Sequence, residues 1–170
     1  MGRNRSKLVY LVGFMGCGKS TVGELLAREA GRPFIDLDAT IEAGQGVTIR
    51  EIFERDGEHF FRQLEHAALT EASKAGSAII ALGGGTWVQQ PNIDFIQSTG
   101  GATVWLDCDL EELWRRCEGI SNRPLFQSPE SFAELFRQRV PYYQLADFRV
   151  PAGGAAPGEI VKRILRLNIL

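Results

Sequence analysis

Short apolar runs alternate with amphipathic stretches along most of the chain, and the alternation predicts strands and helices in turn. Leu8-Val9-Tyr10-Leu11-Val12 is a continuous apolar run of strand length, while Val22, Leu25, Leu26 and Ala30 recur at helical spacing over residues 21–30 until Gly31 and Pro33 end the pattern. Residues 34–38 (Phe-Ile-Asp-Leu-Asp) predict a second strand, with a helix following around 40–42. Over 48–74, Ile49, Ile52, Phe53, Phe60, Phe61, Leu64, Ala68 and Leu69 mark helix, interrupted near Gly57 where two helices meet. Further strands are predicted at 77–82, 102–106 and 147–151, and helices at 91–97, 110–117, 132–146 and beyond 158 through Leu165. Asp107 and Asp109 are candidate helix caps. Strand and helix in regular succession predict an α/β fold with a parallel sheet, and no repeat, low-complexity tract or linker divides residues 1–170 into more than one domain.

The loop between the first strand and the first helix carries the clearest chemistry. Residues 13–20, GFMGCGKS, fit the pattern G-x-x-x-x-G-K-[ST] with the required strand before and helix after. Glycines at 13, 16 and 18 let successive amide N–H groups curl around an anion and deliver it to a helix N-terminus. Lys19 can then reach the β- and γ-phosphates of a nucleotide, and the Ser20 hydroxyl can meet the bridging magnesium.

Other residues cluster around that expectation. Asp36 and Asp38 alternate on the second predicted strand, so both side chains face the phosphate loop, one near a magnesium hydration shell and the other near an attacking hydroxyl; the competing reading is that they only cap the next helix. Arg62 lies among Phe53, Phe60 and Phe61, where an isolated guanidinium is costly unless an anion or Glu65 compensates it; a plain surface arginine is the alternative. Gly83-Gly84-Gly85 ends the third strand, either as a place where backbone meets a ligand closely or as a flexible turn. That strand, Ile79-Ile80-Ala81-Leu82, offers no metal-binding aspartate, which makes Asp36 the available substitute. Residues 119–130, with Asn122-Arg123-Pro124 and Ser128-Pro129, read as a mobile lid that carries Arg123 inward, or else as a solvated connection.

Composition narrows the partners. A net charge of −2 gives no basic field for nucleic acid, and no apolar run approaches the roughly 18 residues of a membrane span. The 3 cysteines and 2 histidines lack metal-like spacing, and a reduced, cytoplasmic setting is expected. Residues 1–6 formally satisfy the myristoylation pattern M-G-x-x-x-[ST], a short pattern that an ordinary basic start also meets.

Taken in order, GFMGCGKST (13–21), DLDATIE (36–42), IREIFERDGEHFFRQLE (49–65), GGG (83–85), RP (123–124) and RVPYY (139–143) resemble the successive signatures of the shikimate kinases, small-molecule kinases of the nucleoside-monophosphate-kinase-like group. The resemblance implies a five-stranded parallel sheet of order 2-3-1-4-5 flanked by helices, a mobile lid over about 117–130, and phosphate transfer from ATP, with Mg2+, to the 3-hydroxyl of shikimate. It also implies roles. Asp38 would bind the substrate hydroxyls and assist the attacking one, and Asp36 with Ser20 would hold the metal. Arg62 and Arg139 would clamp the substrate carboxylate, Gly83, Gly84 and Gly85 would lie against the ring, and Phe53, Phe61 and Glu65 would line or brace the pocket. Gly16, Cys17, Gly18, Lys19, Ser20 and Thr21 would hold the nucleotide phosphates, Arg116 would stack on adenine, and Lys19 and Arg123 would neutralise the transferred group. A monomer is the form implied. The rivals are another small-molecule kinase of this architecture, such as a gluconate kinase, and a catalytically silent nucleotide-binding relative. Cys17 replaces the alanine common in such loops, either as a small tolerated side chain or as a thiol activated by the helix N-terminus and Lys19.

Overall fold

The computed structural model describes residues 7–118 and 128–170. The myristoylation-like pattern and the central lid segment, including Arg123 and Pro124, lie outside the described residues. The chain runs β1 (Leu8–Val12), α1 (Lys19–Ala30), β2 (Phe34–Asp36), α2 (Leu37–Gln45), α3 (Ile49–Ser73), β3 (Ala78–Ala81), α4 (Gln90–Thr99), β4 (Ala102–Asp107), α5 (Leu110–Cys117), α6 (Pro129–Tyr143), β5 (Phe148–Pro151) and α7 (Pro157–Leu165). The five strands form one parallel sheet in the order β2-β3-β1-β4-β5, as expected.

β1 is the centre of the sheet, paired to β3 on one side and β4 on the other, and all five of its residues are buried. A strand covered by helices on both faces has no polar side to alternate, which is why its sequence reads as an unbroken apolar run. The parallel arrangement sends the loops after β1, β3 and β4 to the same edge, where an open α/β sheet keeps its ligands.

One expectation is corrected. The second strand ends at Asp36, and Asp38 stands in the first turn of α2. Asp36 is the N-cap of that helix: its carboxylate accepts from the Ala39 N–H at 3.2 Å, and its carbonyl accepts from the Thr40 hydroxyl at 2.7 Å. Two acids that the strand pattern sets in line are instead separated by the turn into a helix. The break foreseen near Gly57 is present inside α3, where φ 82° and ψ 171° interrupt the helical backbone. A second, smaller apolar core of Ile41, Ile52 and Phe61, with Phe53 and Leu64 against it, pins α2 to α3 away from the main core. Phe53 and Phe61 pack there with tilted rings, 4.8 Å between centroids.

Candidate active site

The loop after β1 has Gly16 at φ 82° and Gly18 at φ 98°, conformations that side-chain-bearing residues rarely adopt. Gly18 is the N-cap of α1 and supplies no side-chain cap, so the amides of the first helical turn face the loop mouth, as an anion site needs. Lys19 arches over the same loop and donates to the carbonyls of Gly13 (2.8 Å) and Phe14 (3.1 Å). The Ser20 hydroxyl donates a short hydrogen bond to Asp36. Across the mouth, Arg116 donates to the Gly16 carbonyl at 3.0 Å and is held by Glu112 one turn back on α5. Gly16, Gly18, Lys19, Ser20, Asp36 and Arg116, with Asp38, Leu82 and Gly84, line a cleft of about 300 Å³.

The oxygens of Ser20 and Asp36 suit a hard cation. Among the described residues no group of three or more acidic, histidine or cysteine side chains could cage a metal. One hydroxyl and one carboxylate beside a phosphate loop is the donor set for Mg2+, which keeps much of its water and binds through phosphate oxygens.

Beside that cleft, the triple glycine is a floor onto which charged side chains converge. A Cβ on Gly83 would stand 2.7 Å from Asp38 Oδ1, one on Gly84 3.1 Å from an Arg139 nitrogen, and one on Gly85 2.5 Å from an Arg62 nitrogen. A methyl group on Gly83 or Gly85 would push the Asp38 or Arg62 side chain aside, and one on Gly84 would need Arg139 to give way by a few tenths of an ångström. The missing side chains therefore serve first to let Asp38, Arg139 and Arg62 lie close to the backbone. Gly84 also faces the phosphate loop, since its Cβ position is 3.5 Å from the Met15 nitrogen. The charged floor and the phosphate loop share one wall.

The two arginines differ in their partners. Arg62 is paired to Glu65 at 2.5 Å and to Glu58 at 3.0 Å, and its guanidinium lies 5.5 Å from the Phe61 ring centroid. Burial acts to lower its pKa, but the two carboxylates outweigh burial and raise it. Arg139 is only 5% exposed and has no carboxylate within ion-pair reach among the described residues. Burial holds its pKa below the ordinary value and Arg62 adds to that shift, while Tyr143 and, to a lesser extent, the more distant Glu65 oppose it. An arginine does not lose its proton under these conditions. The result is a buried positive charge that an anion would neutralise.

Several residues that hold this geometry were not singled out as site residues in the sequence. The Tyr143 hydroxyl donates to the Gly84 carbonyl at 2.6 Å, and the Trp87 indole N–H donates to the Tyr142 carbonyl at 2.8 Å, so the end of α6 is tied to the glycine floor from both sides. Phe14 of the phosphate loop packs edge-on against Phe132 and Phe136 of α6, with Arg139 over its ring at 5.7 Å. Arg139 and Tyr143 stand four apart on one helix, a spacing the sequence does display.

Cys17 is 1% exposed, its sulfur packed against Gly13 and 3.7 Å from the Lys19 ammonium. Cys108 and Cys117 are buried beneath the same loop, and burial, with Cys17 adding to it, pushes the Cys108 thiol up to about 12. Burial closes the Cys17 sulfur off from reagents, which favours the small tolerated side chain over the activated one. Native protein at pH 8 should release well under one equivalent of thiolate to Ellman's reagent within minutes, and 3 after unfolding in guanidinium. Rapid labelling of one native thiol, blocked by ATP, would restore the activated reading.

Comparison with known proteins gives a consistent result. The sequence profile of the family described as Shikimate kinase matches residues 15–168. A shikimate kinase from Persephonella marina is 39% identical over 158 residues, covering 92% of this chain and 96% of that one. The solved shikimate kinase from Acinetobacter baumannii, in complex with shikimate, superposes with a TM-score of 0.90 at 36% identity over 94% of this chain and 91% of that one. The shikimate kinase from Aquifex aeolicus gives 0.85 at 38% identity, with 95% of each chain covered. A gluconokinase from Sinorhizobium meliloti superposes at 0.62 with 18% identity, a likeness of fold alone.

Proposed function

Because this chain belongs to the shikimate kinase family, we infer that it transfers the γ-phosphoryl group of ATP to the 3-hydroxyl of shikimate, giving ADP and shikimate 3-phosphate. The observation that carries the substrate is Arg139: a buried guanidinium without an ion-paired carboxylate among the described residues, beside Arg62, one glycine away from the phosphate loop. A substrate with one carboxylate and three vicinal hydroxyls matches two arginines, a nearby aspartate and a floor without side chains.

In this reading Gly16 to Thr21 hold the phosphates, and Lys19 leaves its loop carbonyls to neutralise charge on the transferring group. Arg116 flanks the nucleotide base. Ser20 and Asp36 would hold Mg2+, which when bound would supply charge neutralisation to the nucleotide phosphates. Asp38 accepts from the attacking hydroxyl and fixes its line of approach, while Arg62 and Arg139 fix the carboxylate end. Phe53 and Phe61 brace the acceptor side through the α2–α3 core. Arg123 is assigned to the lid by the family resemblance. The enzyme is read as a cytoplasmic monomer, for which light scattering should give one chain mass. Among the described residues no helix is long and apolar enough to cross a membrane.

A coupled assay for ADP release tests the reading directly. Release should rise sharply on adding shikimate and stay at background with gluconate. Stimulation by gluconate alone would move the acceptor assignment, and stimulation by neither would leave a nucleotide-binding protein without this activity.

A further inference from the structure

The orientation of Arg62 depends on a hydroxyl that is not itself part of the acceptor pocket. Glu65 is a carboxylate at 1% exposure whose two oxygens have different partners: Oε2 takes the Arg62 NH1 proton at 2.5 Å, and Oε1 takes the Thr86 hydroxyl at 2.7 Å. Thr86 is fully buried, and its carbonyl accepts from the Asn92 side-chain amide at 2.9 Å. The Asn92 oxygen faces His66 Nδ1 at 2.7 Å; since the amide nitrogen is already donating, the hydrogen-bond pattern assigns the proton to His66 Nδ1. Adjacent residues of α3, Glu65 and His66, are thus hooked onto the segment after the glycine floor by two separate rungs.

This bridge leaves one donor out. Arg62 Nε is buried and has no hydrogen-bond partner among the described residues. A guanidinium beside a carboxylate ordinarily forms a two-pronged pair, one oxygen to each of two nitrogens. Here the second oxygen of Glu65 is taken by Thr86, so the pair with Glu65 is single-pronged and Nε stays unspent.

We propose that Thr86 is a positioning residue for the acceptor: by donating to Glu65 Oε1 it fixes the carboxylate that holds Arg62, and so sets the angle at which the guanidinium meets the substrate carboxylate. The proposal rests on the acceptor reading of the preceding section. Without the hydroxyl, the buried Glu65 Oε1 loses its donor and the carboxylate is free to turn away from its present orientation. The guanidinium then swings with it, and the carboxylate of shikimate loses a contact.

Thr86→Val removes the hydroxyl with little change in shape. The expected result is a rise of about 5- to 20-fold in KM for shikimate, with kcat and the KM for ATP within about twofold of wild type. Thr86→Ser, which keeps the hydroxyl, should restore the shikimate KM. In a Glu65→Gln background, Thr86→Val should add nothing further, because the group it orients is already altered. Thr86→Ala gives a second hydroxyl-free variant should the valine disturb folding, checked by thermal unfolding. An unchanged shikimate KM in a folded valine or alanine variant, an equal rise in the KM for ATP, or a serine variant as weak as valine would each overturn the role. Wild-type enzyme that does not turn over shikimate would instead overturn the acceptor reading, and this role with it.

Discussion

Asp38→Asn is expected to lower kcat with shikimate by about 10²- to 10⁴-fold, the usual worth of a positioned proton acceptor, while ATP binds as in wild type. The asparagine is the same size and keeps an oxygen toward Gly83, so the pocket shape survives. What is lost is the negative charge that receives the hydroxyl proton as the oxygen–phosphorus bond forms. Nucleotide affinity should be indifferent, because the proposed nucleotide contacts, the loop amides, Lys19 and Arg116, do not involve Asp38 and the Ser20–Asp36 pair is untouched. Steady-state kinetics in shikimate together with a fluorescent-nucleotide titration separates these terms. Near-normal kcat with a raised KM for shikimate would reduce Asp38 to a binding contact, and a parallel loss of nucleotide affinity would place it with the metal instead.

The fold and the site were legible in the sequence only where their residues carry local signals. The phosphate loop is read from one contiguous pattern whose backbone demands glycine, and the central strand from an apolar run that only a doubly covered position explains. The ends of α5 are likewise given by Asp109 at its start and the loss of periodicity after Cys117. The second strand misled because Phe-Ile-Asp-Leu-Asp satisfies a period of two, whereas the preference of Asp36 for capping ends the strand early; a short run cannot reveal which preference wins. Thr86 was out of reach for a different reason. Its partner Glu65 lies 21 residues away, and a threonine after three glycines looks like part of a turn. Arg139 was found through family resemblance, but its lack of a carboxylate partner is a property of packing that no local pattern encodes.

That property makes Arg139→Met the second informative substitution, because stability and function should move in opposite directions. Methionine keeps an unbranched stem beside Phe14 and removes a charge that burial disfavours and that Arg62 repels. Replacing poorly compensated buried charge by an apolar side chain is neutral to favourable, so a gain of about 1 kcal/mol, or about 3 °C in Tm for a chain of this size, is expected in the absence of substrate. Shikimate affinity should fall by about 100-fold, the worth of a charge-assisted contact of about 3 kcal/mol in a dry site. The two readings check each other. Saturating shikimate should raise the Tm of wild type by mass action and leave the variant nearly unmoved at the same concentration. A variant that melts lower than wild type would mean that Tyr143 and the Phe14 ring already compensate the guanidinium, and unchanged shikimate affinity would mean that Arg62 alone holds the carboxylate. The expected pair of shifts would say that the fold carries a poorly compensated cation at this position for the substrate to complete.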